Sequence, residues 1–134
     1  MAAVANRYRG TKEYILVYSR LITAAQFRGT VTYQEIAKIL RLPLQGSNMG
    51  SEIGWILGEI SEDEHRAVPQ RPMLSAVAVS NRGEPGPGFS ALARELGRLS
   101  STEPAEERRF WEEELARVYR AWVEDHATYA PPRA

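Results

Sequence analysis

The chain has 134 residues, no cysteine and a formal net charge of zero, with 43% hydrophobic and 25% charged residues. That balance is globular, fits one domain with one core, and argues against wholesale disorder. Without cysteine there is no disulfide framework, no thiolate metal site and no thiol nucleophile, and zero net charge argues against indiscriminate nucleic-acid binding.

The opening residues 1–9 have no apolar run behind their charges, so a secretory signal is not expected and a flexible arm is. Thr11 is placed to cap a first helix running to about Phe27, with Ile15, Tyr18, Ile22 and Ala25 inward. Gly29 ends it. In Thr32-Tyr33-Gln34-Glu35 the spacing is that of a capping box, which opens a second helix over about Tyr33–Leu40 with Ile36, Ile39 and Leu40 inward. Pro43 and Gly46 mark a loop.

Ser47 or Asn48 begins a third helix that ends near Ile60, with Ile53, Ile56, Leu57 and Ile60 as its apolar stripe. Gly50, Gly54 and Gly58 repeat every fourth residue, each costing about 1 kcal/mol against alanine, and they predict a second backbone passing close by. Residues 61–71 read as an acidic, polar loop. Met73-Leu74-Ser75-Ala76-Val77-Ala78-Val79 reads as a strand buried on both faces. The run Asn81–Gly88, with three glycines and two prolines, is the strongest turn signal. Phe89 and a helix over about Ser90–Leu99 follow, using Leu92, Ala93 and Leu96.

Thr102 caps the last and longest helix, with Pro104 in its first turn. Phe110, Trp111, Leu115, Val118, Tyr119 and Trp122 give that helix a broad apolar face. It reads first as core, and as a docking face for a protein partner if part of it is exposed. A disordered tail over 129–134 is expected.

The fold class is therefore mostly α with a small β element. A winged helix-turn-helix-like core carries a short strand and wing, and a long C-terminal helix extends it, all in one domain over 10–128. The third helix is the candidate recognition helix and the Gly/Pro turn the candidate wing. Trihelical cores also serve protein contacts, so the pattern alone does not choose a partner.

Val31-Thr32-Tyr33-Gln34-Glu35-Ile36-Ala37 resembles the V/I-S/T-Y-x-x-I/L-A segment of the alkylguanine-DNA alkyltransferases and the alkyltransferase-like proteins. Glu52-Ile53-Gly54-Trp55-Ile56-Leu57-Gly58 is similar to the family's V-G-x-A-L/M helix end. Pro72-Met73-Leu74-Ser75-Ala76-Val77 stands where the family has its Pro-Cys-His-Arg-Val strand, and Gly83 to Phe89 where it has a glycine-rich wing. The likeness covers roughly residues 31–89, under half the chain, and rests on order and spacing.

The resemblance implies that Tyr33 presses on the phosphate of a flipped nucleotide. It aligns Met73 with the alkyl-accepting cysteine and Leu74 with the histidine that activates it, so both chemical groups are replaced by apolar ones. The family's arginine finger falls near Ser51. Asn48 or Met49 then either wedges between base steps or simply caps and packs the helix. The third helix carries Glu52 and Glu59 and no Lys or Arg, which weighs against tight DNA binding. Basic contributions would come from Arg71, Arg82, Lys38, Arg41 or the arm.

Glu62-Asp63-Glu64-His65 reads as solvated rather than metal-binding, and Gly83-x-x-Gly86-x-Gly88 is interrupted by prolines, so neither a metal nor a cofactor is expected. The expectation is a non-enzymatic, cytoplasmic, alkyltransferase-like protein that binds double-stranded DNA through Tyr33, Asn48, Met49, Ser51, Arg71, Met73, Arg82, Gly86 and Gly88, possible targets being modified or distorted bases. The alternative is a protein-interaction or regulatory module on the same fold. Neither reading involves a membrane.

Overall fold

The computed structural model describes residues 7–42 and 48–128, without the side chains of Asn48, Met49 and 124–128. The loop with Pro43, Gly46 and Ser47, the residues before Arg7 and the tail after Thr128 lie outside the described residues. The chain is mostly helical. Helix α1 (Lys12–Gln26) leads to strand β1 (Val31–Thr32), α2 (Tyr33–Ile39) and α3 (Asn48–Ala67). A turn of 3-10 helix (Leu74–Val77), strand β2 (Ala78–Val79), α4 (Pro87–Glu95) and α5 (Pro104–Thr128) follow. The two strands pair in parallel, Val31 with Ala78 and Thr32 with Val79.

Local chemistry sets these boundaries. Thr11 caps α1, its side chain accepting from the Tyr14 N–H at 3.2 Å. At α2 the capping box forms in both directions. Thr32 Oγ1 accepts from the Glu35 N–H, and Glu35 Oε1 accepts from the Thr32 N–H, each at 3.1 Å. That box also stops β1 after two residues. Gly97, at φ +76°, terminates α4 four residues short of Leu99, because the chain turns left-handed there and the Arg98 N–H returns to Ala93 O. Helix α5 begins at Pro104, so Thr102 stands outside it and Glu103 at its boundary.

The core lies where α1, α3 and α5 pack around the 3-10 turn and β2. Its fully buried members include Val17, Leu21, Ile36, Ile56, Ile60, Leu74, Val77 and Val118. The stripe Ile53, Ile56, Leu57, Ile60 is buried as its spacing predicts. Helix α5 folds onto this core: Trp111 and Trp122 are buried, and Trp111 Nε1 donates to Ala76 O at 2.9 Å.

Four local expectations are corrected. First, α1 is rotated in part: Ala25 is buried as expected, but Val17, Leu21 and Ala24 fill the core, Tyr18 and Ile22 are only partly buried, and Ile15 is 63% exposed. The hydroxyls of Tyr14 and Tyr18 donate to Asp63 and Glu64 of α3, and those bonds set the phase of the helix. Second, 61–67 is the last two turns of α3 rather than loop. Glu62, Glu64, Arg66 and Ala67 are good helix formers, and the carboxylates have cationic partners: Arg9 reaches Glu62 and Asp63, and Arg66 pairs with both along the helix. Third, 73–79 is a strand only at Ala78–Val79. A continuously apolar run is compatible with any fully buried backbone, and β1 offers just two residues of ladder. Fourth, Ser80–Glu84 closes as a tight turn, with Ser80 N–H to Glu84 O at 2.7 Å, and α4 starts at Pro87. The Gly/Pro segment is thus a turn and a helix entry, with no return strand among the described residues.

The arm expected over 1–9 is held at its inner end. Glu59, fully buried, accepts the backbone N–H groups of Arg7, Tyr8 and Arg9 at 2.8 to 3.2 Å. Burial and the Glu52 carboxylate push the Tyr8 phenol up to about 12, so it stays a donor, and its hydroxyl bonds Glu52.

Asp63 ties this region to pH. Burial alone would raise its carboxyl, but hydrogen bonds from Arg9 and Tyr14 and the charges of Arg9 and Arg66 outweigh it and hold Asp63 below its usual range. A carboxylate depressed in the folded state contributes stability above its unfolded value, near about 4, and loses it as pH falls through the folded value. Asp63→Asn should therefore lower the thermal midpoint at neutral pH, with the gap to wild type closing on acidification. A gap that stays constant down to about pH 2 would contradict this account.

Candidate nucleic-acid interface

Tyr33 is the first residue of α2, immediately after the capping box, so its direction is fixed by the helix start. Its ring is half-buried, and its hydroxyl oxygen accepts the backbone N–H of Gly86, the residue that caps α4. Burial pushes the Tyr33 phenol up, while the Gly86 N–H acts in the opposite direction. The net rise keeps the phenol protonated at neutral pH. Its own O–H finds no acceptor among the described residues. A phenol that receives one hydrogen bond is polarised as a donor for the next. The arrangement suits an external acceptor such as a phosphate oxygen.

Gly86 packs closely against Tyr33. A Cβ there would stand 3.1 Å from Tyr33 Oη and 3.2 Å from Cε2. Arg82 lies exposed in the adjoining turn, its N–H on Ser80 Oγ at 3.2 Å, and Gly88 is exposed in the first turn of α4, where a Cβ would meet no described atom. Tyr33 and Gly86 are thus in direct contact, with Gly88 two residues on and Arg82 in the turn just before.

Across the loop, Ser51 is exposed in the first turn of α3. Gly50 and Gly54 are exposed too, and a Cβ at either would have no described atom within 4 Å. The close internal backbone expected there is therefore not present among the described residues. Gly58 is buried. The side chains of Asn48 and Met49 lie outside the described residues.

Of two further expected contact residues, Met73 belongs to the interior and Arg71, half-buried, is engaged by its neighbours. Met73 is 3% exposed, and its N–H donates to Glu114 Oε2 at 2.9 Å. Glu114, buried on α5, also pairs with Arg98 at 3.3 Å and Arg117 at 3.0 Å. With Leu74 fully buried, the position matched to the nucleophile pair is apolar and covered. Arg71 pairs with Glu64 at 3.7 Å and lies over the Trp122 ring at 4.7 Å, so its charge is engaged internally. Burial raises the Glu64 carboxyl, and Arg71 works against that rise.

Cations remain at the end of α2. Lys38 and Arg41 are exposed and have no ion pair among the described residues. Arg41 follows the helix at φ +59°, and Arg28 follows α1 at φ +58°. Both hold positions where glycine is the usual residue, at a backbone cost of about 1 kcal/mol.

Sequence reasoning missed Glu59, Glu114 and the docking of residues 7–9. The one available signal was the acidic stretch from Glu52 to Glu64 beside an arginine-bearing start. Compared with known proteins, the chain matches no protein-family model, no curated protein and no solved structure. Among the described residues, no helix is long and apolar enough to cross a membrane.

The Tyr33–Gly86 contact makes a coupled prediction. Gly86→Ala should lower the thermal midpoint in wild type, because the ring must move a few tenths of an ångström. In a Tyr33→Ala background the same substitution should cost clearly less. Equal losses in both backgrounds would show that the contact does not constrain the turn.

Proposed function

We propose that this is a non-enzymatic, cytoplasmic DNA-binding protein of alkyltransferase-like type, reading the duplex through the start of α2, the Ser80–Gly88 turn and the start of α3. The observation that carries this reading is the Tyr33 hydroxyl: it is fixed by the Gly86 N–H and keeps its own proton available for a phosphate. Supporting it are Lys38, Arg41 and Arg82, exposed and unpaired among the described residues, and the left-handed arginine at position 41 that keeps a cation where glycine would fold more easily. The bare surface at Gly50 and Gly54 admits close approach of a partner. Met73 and Leu74 in place of a nucleophile and its base support binding without alkyl transfer.

The acidic character of α3 weighs less than its composition suggests. Glu52, Glu59, Glu62 and Asp63 are each engaged by residues 7–9. A protein-interaction role is the second reading. It is favoured by Ile15, Leu16 and Phe27, which are 63%, 50% and 71% exposed on and just after α1, rather than by α5, whose tryptophans are buried.

Titration of labelled duplexes, with and without a modified base, at low and moderate salt separates the two. DNA binding should weaken with salt, and Tyr33→Phe should weaken it about tenfold, matching one hydrogen bond to a charged group. Tyr33→Ala should lose at least as much. Flat titrations at micromolar protein and low salt would sink the DNA reading.

A further inference from the structure

Two arginines of the N-terminal segment are used in opposite ways. The Arg9 side chain is fully engaged: it donates to Asp63 at 3.0 and 3.1 Å, to Glu62 at 2.8 Å and to Glu59 O at 3.4 Å. The Arg7 guanidinium carbon lies over the Trp55 ring, 3.5 Å from its centroid. Its nearest carboxylate is Glu52, at 3.6 Å, and that carboxylate already accepts the Tyr8 hydroxyl. The side chain is 47% exposed, and its guanidinium N–H groups make no hydrogen bond among the described residues.

Trp55 stands one helical turn beyond Ser51 on the same ridge of α3, next to exposed Gly54. A half-exposed guanidinium held over the ring, with no hydrogen bond from its N–H groups among the described residues, keeps donors for a phosphate. Stacking on Trp55 fixes the side chain before any ligand arrives, while Glu59 and Arg9 fix the backbone that carries it.

We infer that Arg7 is a phosphate-contacting residue lent to α3 by the N-terminal segment, with Trp55 as its platform and Arg9 as the anchor. The inference rests on the DNA reading above and supplies what α3 lacks, a cation at its first turns. The contact is to the DNA backbone, so it is independent of base sequence.

Fluorescence anisotropy of labelled duplexes over a salt series tests it with wild type, Arg7→Ala, Arg7→Lys and Arg9→Ala, each also followed by thermal unfolding. Arg7→Ala should weaken binding several-fold on every duplex and reduce the slope of log affinity against log salt by about 0.9, with a drop in the thermal midpoint much smaller than that of Arg9→Ala. Arg7→Lys should restore the slope but not the full affinity. Arg9→Ala should lower the thermal midpoint. If wild type binds and Arg7→Ala keeps its affinity and slope, the inference falls while the DNA reading stands. If wild type does not bind at low salt, both fall. If Arg7→Ala and Arg9→Ala lose stability and binding in the same proportion, Arg7 serves only to dock the segment, and the inference is overturned.

Discussion

The constraint on which this fold depends is the neutralisation of α3. From Glu52 to Glu64 the helix presents a ridge of carboxylates, and Glu59 is completely buried. A buried carboxylate is tolerable only with strong donors around it. Three successive backbone N–H groups from residues 7–9 supply them. Tyr14 and Tyr18 bring α1 to the same ridge, and Arg9 closes it. The phase of α1, the extension of α3 to Ala67 and the docking of residues 7–9 all follow from this one requirement.

A second buried carboxylate organises the other side. Glu114 on α5 receives the Met73 N–H and pairs with Arg98 and Arg117. It ties the longest helix to the segment entering β2, and Trp111 adds a bond to Ala76 O. The interior around 73–77 is thereby covered, while the Tyr33–Gly86 contact stays at the surface. This packing keeps Met73 in the interior and leaves Tyr33 at the surface.

Features set by local pattern were legible in the sequence. The Thr32–Glu35 capping box, the Thr11 cap and the stripe Ile53, Ile56, Leu57, Ile60 each depend on residues a turn apart. What escaped depends on distant partners. Residues 61–67 look like loop until Arg9 and Tyr14 are seen beside them, and Ile15 looks like core until α1 is turned by its tyrosines. The run at 73–79 is buried as expected, but its backbone form depends on a β1 only two residues long. At the candidate site, the contact between Tyr33 and Gly86 was not legible, because it joins residues 53 apart, and Met73 and Arg71 are engaged by Glu114, Glu64 and Trp122.

Hydrogen–deuterium exchange with and without duplex DNA tests the central claim most directly, because it reports which backbone the DNA covers. The account predicts added protection over residues 31–39, 48–55 and 83–90, with α1 unchanged. Protection confined to the exposed face of α1 around Ile15, Leu16 and Phe27, or none anywhere, would contradict it.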